Sequence, residues 1–278
     1  MTRVAVVTGA AGGMGGACAR VLASETDVLL LTDRDADSIA GAAVELAAMT
    51  KVSTAAGDLR DAAFINELAA RASELGRRLT LVHAAGLSPS MDGWRAILDV
   101  DLVASARLLD AFLPRVTPGS VAVCIASVSG HMGEFEPAMD SVLDTPLADD
   151  FVARFCALAG DEPDAGLTYR FAKRGVIRLC ARAARAWGAR GGRVLSVSPG
   201  LIDTPMGRLE LQHQPIKERL AEMTPIAATT RGFDAPLPGR IDDIASTVAF
   251  LCSERASFVS GCDVLVDGGL LAALQHQT

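Results

Sequence analysis

Tyr169 is the one tyrosine in a chain of 278 residues, and Lys173, one of three lysines with Lys51 and Lys217, follows it by four positions. On a helix, four residues is about one turn, so the two side chains share a face. A free tyrosine, with a pKa of ~10, is a poor acid or base at neutral pH. An adjacent ammonium favours phenolate and lowers that value, which makes the pair a proton-transfer device. The plainer alternative, an i,i+4 contact between surface side chains, fits poorly with so few lysines. Ser127, in Cys124-Ile125-Ala126-Ser127-Val128-Ser129-Gly130, follows an apolar run, and its hydroxyl can hold a substrate oxygen as charge develops on it. Ser129 is its rival, two residues further into the loop. Neither serine lies in a Gly-x-Ser-x-Gly elbow and no histidine is placed as its base, so a hydrolase triad is unsupported.

A second cluster binds rather than reacts. The first apolar run ends in Thr8-Gly9-Ala10-Ala11-Gly12-Gly13-Met14-Gly15-Gly16, and a helical pattern follows at once. Glycines there let the backbone turn sharply and approach a pyrophosphate, with a helix N-terminus supplying free N–H groups. The second apolar run ends Leu31-Thr32-Asp33-Arg34. An acid at that place accepts hydrogen bonds from ribose hydroxyls and repels a 2′-phosphate, so NAD is expected over NADP. Arg34 complicates this, since a base can bind a phosphate or stack on adenine. Asp58, in Gly57-Asp58-Leu59, can reach the adenine or serve only as a turn acid. The positive ring of NAD would add to the effect of Lys173 on Tyr169.

These residues need a frame that brings them to one edge. Arg3–Thr8, Val28–Thr32, Val52–Ala56, Leu79–His83, Val121–Ala126, Val194–Ser198 and Val264–Val266 read as strands, apolar throughout rather than alternating, as in a parallel sheet covered on both faces. Between them Gly13–Ser24, Asp35–Met49, Asp61–Leu75, Asp92–Phe112, Tyr169–Trp187 and Asp242–Cys252 show helical spacing, with Asp61 and Asp242 placed to cap or start their helices. Such alternation predicts an α/β, doubly wound sheet of about seven parallel strands in a single domain over residues 1–278. Two stretches break the rhythm. Residues 130–167 carry nine acids against one base, Arg154, with Phe135, Met139 and Leu143, then Phe151 and Phe155, recurring every four residues; this is expected to be an acidic helical insertion with a solvated face. Residues 199–239 hold six prolines and read as a loop over the substrate, whose Leu201, Ile202, Met206, Leu209, Leu211 and Met223 line either a lipophilic pocket or an ordinary lid.

The net charge of −7 argues against nucleic acid or an anionic membrane as partner, since both need a basic face. The six cysteines lack CxxC spacing and no His/Cys cluster has metal-ligand spacing, so no metal is expected, and a reducing, cytoplasmic setting is. The apolar run after Arg3 stops at four residues, too short for a signal peptide, and no run of ~20 apolar residues exists. His131, His213 and His276 have no ligand partner at useful spacing and read as loop or tail residues.

Over nearly its whole length the chain resembles the short-chain dehydrogenase/reductase family. The resemblance rests on Thr8-Gly9-x-x-x-Gly13-x-Gly15, Ala84-Ala85-Gly86, Ser127, Tyr169-x-x-x-Lys173, Pro199-Gly200 and Asp267-Gly268-Gly269. Within the family it looks most like NAD-dependent hydroxysteroid dehydrogenase/carbonyl reductase-like members, which can carry extra helices before the tyrosine. The resemblance implies a Rossmann fold and hydride transfer between NAD(H) and a secondary alcohol or ketone, lipophilic or steroid-like. It implies Tyr169 as acid/base, Lys173 lowering its pKa and holding the nicotinamide ribose, and Ser127 orienting the carbonyl. Thr8, Gly9, Gly12, Gly13, Met14, Gly15, Asp33, Arg34, Asp58, Leu59, Ala84, Ala85 and Gly86 would hold the rest of the cofactor, with Pro199, Gly200, Ile202 and Thr204 along the nicotinamide. It also implies a homodimer or homotetramer built on the long helices, an interface that the insertion can block. Two departures stand out: His83-Ala84 replaces an asparagine pair, His83 reading as a hydrogen-bonded strand-end residue, and Asp101 replaces an asparagine that holds a relay water beside the lysine. Asp101 would favour charged lysine and weaken its help to the phenolate. Two alternatives are a dinucleotide-binding sensor or scaffold with altered catalysis, and an enzyme of this fold performing another reaction, such as epimerisation or dehydration.

Overall fold

Seven strands form one parallel sheet in the computed structural model, which describes residues 1–276. In chain order the elements are β1 (Arg3–Thr8), α1 (Gly13–Ala23), β2 (Val28–Asp33), α2 (Ala36–Leu46), β3 (Lys51–Ala56), α3 (Ala62–Leu75) and β4 (Arg78–His83). Then come α4 (Trp94–Ile97), a π-helical turn (Leu98–Val103), α5 (Ala104–Phe112), β5 (Val121–Ile125) and a 3₁₀ turn (Val128–His131). The rest is α6 (Pro137–Leu143), α7 (Phe151–Ala159), α8 (Ala165–Gly188), β6 (Arg193–Pro199), α9 (Pro205–His213), α10 (Ile216–Met223), α11 (Ile241–Cys252), β7 (Asp263–Val266) and α12 (Leu270–Gln275). The strand order is β3-β2-β1-β4-β5-β6-β7, so the order reverses between β1 and β4, where the carboxyl ends of such sheets leave a crevice.

The uninterrupted apolar strands are explained by two cores. Val4 and Val6 of β1, with Leu30 of β2, pack under α3, α5 and α8; Ala5, Val7, Leu29 and Leu31 pack under α1, α2 and α11. Each strand therefore needs apolar side chains at both parities. Asp61 caps α3, accepting from the Ala63 N–H at 2.8 Å. Asp242 does not cap α11: that helix starts after Arg240, whose N–H is held at 2.7 Å by Asp243. Helix α8 starts at Ala165, capped by Asp164, which places Tyr169 one turn inside rather than at its start.

Residues 199–239 are not an open loop. Pro205 occupies the first turn of α9 and Pro215 immediately precedes α10, where a missing N–H costs nothing, so these prolines begin helices instead of breaking them. Thr204 closes the start of α9 by accepting from the Gly207 N–H at 2.9 Å.

The acidic stretch folds as α6 and α7, but its acids are not simply solvated. Asp140 pairs with Arg174 at 3.0 Å and Arg178 at 2.8 Å, and Asp144 with Arg178 at 2.7 Å and Arg182 at 3.1 Å, a ladder between α6 and one face of α8. Met139, Leu143, Phe151 and Phe155 are buried in the same contact, and Phe155 meets Phe171 of α8 edge-on at 5.9 Å. The arginines recur at four-residue spacing, which is why one helical stripe serves two aspartates. The Arg178 guanidinium holds the Asp144 carboxyl below its usual range. Replacement Asp144→Ala leaves Arg178 only its Asp140 partner and frees the half-exposed Arg182, and is expected to cost about 1 kcal/mol and lower Tm by a few degrees. Thermal unfolding at neutral pH and low salt measures it; an unchanged Tm would show that the ladder is only a surface ornament to α8.

Candidate active site

The glycine turn after β1 is shaped by close backbone approach. Gly9 has φ +67°, and a Cβ there would lie 2.7 Å from the Ala85 backbone nitrogen, so the turn after β1 presses directly on the turn after β4. Helix α1 begins after Gly12, which has no side chain to cap it, whereas α2 is capped by Asp35. The first N–H groups of α1 are left for a ligand, at the positive end of an 11-residue helix. They open on a cleft of about 580 Å³ lined by Gly9, Gly12, Gly13, Met14 and Gly15 on one side and by Asp33, Arg34, Asp58 and Leu59 on the other. Ala84, Ala85 and Gly86 close its floor. An uncapped helix end and a cleft whose lining runs from it to the Asp33 carboxylate fit a dinucleotide.

Asp33 is already used within the chain: its carboxylate accepts from Ala11 N–H at 3.2 Å and Arg34 N–H at 2.8 Å. Asp58 is gripped by Arg60, with Nε at 2.9 Å and Nη2 at 2.5 Å, which holds its carboxyl below the ordinary range. Arg60 also lines the cleft and was not singled out from the sequence. Its only sequence signal is its place two residues after Asp58.

Thr8 is not in the cleft but beneath it. Its hydroxyl accepts from the Ala84 and Ala85 N–H groups, both at 3.2 Å, and must therefore give its proton to His83 Nδ1 at 2.7 Å. His83 Nε2 then donates to Ser105 Oγ at 2.8 Å, because the Ser105 proton goes to the Asp101 carbonyl at 2.6 Å. The chain of bonds runs one way and requires neutral His83. Burial, with the Lys173 charge as a lesser cause, lowers its pKa to about 3. His83 is thus a structural strand-end residue.

Tyr169, Ser127, Pro199, Gly200, Ile202 and Thr204 line a second, smaller cavity of about 60 Å³, which adjoins the first at Met14, Thr204 and Met206. Ser127 starts the 3₁₀ turn and accepts from the Ser129 N–H at 3.1 Å. Ser129 also borders this cavity. The turn is pinned from below by His131, whose Nε2 meets Asp263 at 2.8 Å; Ser196 holds the other Asp263 oxygen at 2.5 Å. His131 is therefore a clamp at the end of this turn, not a plain loop residue.

Lys173 and Asp101 lie behind the small cavity. Lys173 Nζ is 3.2 Å from Asp101 Oδ2, 3.4 Å from the Ile125 carbonyl and 5.5 Å from the centre of the Tyr169 ring. Asp101 is 1% exposed, and its other oxygen accepts from the Leu87 N–H at 2.7 Å. Burial raises the Asp101 pKa, and Lys173 opposes that. The Tyr169 phenol is pushed well above the usual tyrosine range by burial and by the charges of Glu210 and Asp101, with hydrogen bonding to Ser127 acting the other way. The lowering expected from Lys173 is outweighed by burial of the phenol and by the nearby Glu210 and Asp101 charges. Glu210 and Lys217, paired at 2.9 Å, also border this cavity and were not singled out as site residues from the sequence. The rarity of lysine was the available signal for Lys217.

The short chain dehydrogenase family matches residues 3–139, and the family described as enoyl-(acyl carrier protein) reductase matches residues 157–271. A cis-4-hydroxycyclohexanecarboxylate dehydrogenase of Sinomonas cyclohexanicum is 30% identical over 281 residues, covering 97% of each chain. The chain belongs to the short-chain dehydrogenase/reductase family. The 3-alpha-hydroxysteroid dehydrogenase/carbonyl reductase of Comamonas testosteroni is 29% identical over 278 residues, covering 98% of each chain. The crystal structure of levodione reductase superposes with a TM-score of 0.76 at 25% identity, covering 98% of each chain. Short-chain dehydrogenases bind nicotinamide dinucleotides, and as one of them this chain is an oxidoreductase of alcohol and carbonyl groups. Among the described residues, no helix is long and apolar enough to cross a membrane.

Because His83 titrates far below its unfolded value of ~6.5, the unfolded chain binds a proton that the folded chain refuses, and stability falls as pH drops from about 6 toward about 3. In His83→Gln the pH slope of unfolding free energy over that window is expected to be shallower by up to ~1.4 kcal/mol per pH unit. Denaturant unfolding at pH 7, 6, 5 and 4 reads the slope; identical slopes would mean that His83 takes up its proton while folded.

Proposed function

We propose that the protein is an NAD-dependent dehydrogenase or carbonyl reductase acting on a secondary alcohol or ketone through Ser127, Tyr169 and Lys173. The observation that carries this reading is the placement of Tyr169 and Ser127 on one small cavity that adjoins the cleft lined by the glycine turn, with Lys173 directly behind the tyrosine ring. When bound, the dinucleotide supplies the hydride acceptor or donor, at C4 of the nicotinamide, and a positive ring in its oxidised form. Tyr169 moves the proton of the substrate oxygen, and Ser127 donates a hydrogen bond to that oxygen as charge grows on it. In the oxidative direction the carbinol C–H and O–H bonds break and the C=O bond forms. The C–H hydrogen leaves with its electron pair as hydride, and the O–H proton passes to Tyr169 in its ionised form; in the reductive direction the Tyr169 phenol gives that proton to the substrate oxygen. Lys173, held by Asp101, supports the tyrosine and offers an ammonium to the nicotinamide ribose. Asp101 takes the place of the relay residue, with its carboxylate fixed by the Leu87 N–H.

The glycine turn, Asp33 and the Ala84-Ala85-Gly86 floor would hold the dinucleotide, and Pro199, Gly200, Ile202 and Thr204 would flank the nicotinamide. Thr8 contributes from below by fixing Ala84 and Ala85. Preference for NAD rests on the Asp33 carboxylate at the end of β2, with Arg34 beside it as the competing influence. Leu201, Met206 and Leu237 on the small cavity support an apolar substrate frame. The free, buried thiols Cys18, Cys124 and Cys180 support a reducing cytoplasm. Assembly as a homodimer or homotetramer belongs to the same reading; the face of α8 under α6 and α7 is covered within the chain.

Tyr169→Phe is expected to keep NADH affinity and lose at least ~100-fold in kcat, as when a general acid–base is removed. Steady-state assay on sterols, short secondary alcohols and sugars, with NADH binding followed by fluorescence, tests it; a wild-type rate in the variant on any accepted alcohol defeats the reading. Asp33→Ala is expected to reduce the ratio of kcat/KM for NAD over NADP by about tenfold or more, an effect the size of a lost charge-assisted hydrogen bond. An unchanged ratio would show that selection lies elsewhere.

A further inference from the structure

The lid contributes a feature that neither the cofactor cleft nor the proton-transfer group requires. Glu210 near the end of α9 and Lys217 at the start of α10 pair at 2.9 Å with side chains only 12% and 15% exposed. Both line the cavity that holds Ser127 and Tyr169, whose other walls include Met14, Leu201, Met206 and Leu237. Removing such a pair from water costs more than packing two apolar side chains in its place. The Glu210 charge also opposes formation of phenolate at Tyr169. An enzyme for a wholly apolar ketone would gain on both counts by losing the pair.

The pair is chemically selective. A carboxylate next to an ammonium offers one acceptor and one donor at zero net charge. A hydroxyl suits it, donating to Glu210 and accepting from Lys217. A substrate carboxylate would satisfy Lys217 and face Glu210, and a substrate amine would do the reverse. We propose that Glu210 and Lys217 form a specificity site for a second, uncharged hydroxyl of the substrate, so that the preferred alcohols carry two hydroxyls on an otherwise apolar frame. This rests on the reading of Ser127, Tyr169 and Lys173 as the reacting group, because it places the oxidised carbinol at Tyr169.

The test compares cyclohexanol with the positional isomers of cyclohexanediol, with NAD and with NADP, in the wild type and in Glu210→Leu/Lys217→Leu. The double change removes both charges together, so neither is stranded. In the wild type at least one diol is expected to exceed cyclohexanol by ~100-fold in kcat/KM, since a site built to bond a hydroxyl rejects the analogue lacking it. In the double variant that ratio is expected to fall to within about threefold, chiefly through KM. Equal kcat/KM for diols and cyclohexanol in the wild type overturns the proposal and leaves the dehydrogenase reading intact. A diol preference that persists in the double variant overturns it too. Turnover of none of these alcohols overturns the diol proposal, while the dehydrogenase reading stands or falls separately on the sterols, short secondary alcohols and sugars. NADH fluorescence reports whether the double variant is folded; if it is not, the wild-type comparison decides alone.

Discussion

One buried ion pair joins the parts from which this site is made. Lys173 on α8 reaches Asp101 in the π-helical turn, and through Asp101 it reaches the Leu87 N–H after β4; its own ammonium touches the last carbonyl of β5. Four segments that meet at the carboxyl edge of the sheet are thereby tied at one point. Close packing makes the tie possible: Gly175 lets α8 lie on the π-helical turn so closely that a Cβ there would come within 2.7 Å of Leu102. Burying such a pair seldom stabilises a protein relative to apolar packing. Its value here is positional, since it fixes the lysine behind the only tyrosine.

The floor of the site is held by the opposite device, a string of neutral groups. From the Ala84 and Ala85 N–H groups through Thr8, His83 and Ser105 to the Asp101 carbonyl, every donor meets an acceptor. The string crosses the topological switch point and ends on the residue that holds Lys173. The cofactor cleft and the proton-transfer group therefore share one rigid base, which a fluctuating surface could not provide. The helices above them follow a different logic. Helices α6 and α7 are fastened to α8 by charge pairs and aromatic contacts, and α9 starts on a proline while α10 follows one, which makes a structured cover out of a segment with the composition of a loop.

Much of the frame was readable from the chain alone, and for a definite reason. Strand and helix periods, the glycine turn and the four-residue spacing of Tyr169 and Lys173 are local signals, complete within a few residues. They located all seven strands to within about two residues and predicted the doubly wound order of layers. Where local reading erred, a neighbour in space had intervened. His131 read as a plain loop residue until β7 brought Asp263 to it, and the acids of α6 looked solvated until α8 presented its arginines. The 199–239 stretch looked like a loop because prolines count as breakers anywhere except at a helix start.

What the sequence by itself determined is the type of fold, its dinucleotide turn and the tyrosine–lysine pair, because each is encoded in the order of adjacent residues. What only the tertiary structure decided is the electrostatic state of that pair and the character of the pocket above it. The resemblance put Asp101 near Lys173 with a water between them, but the direct contact at 3.2 Å is made by a π-helical turn that no local period announces, and Glu210 meets Lys217 across the break between two lid helices. Whether a charge is neutralised, buried or free depends on what stands within a few ångströms of it, and that distance is set by packing between segments that lie far apart in the chain.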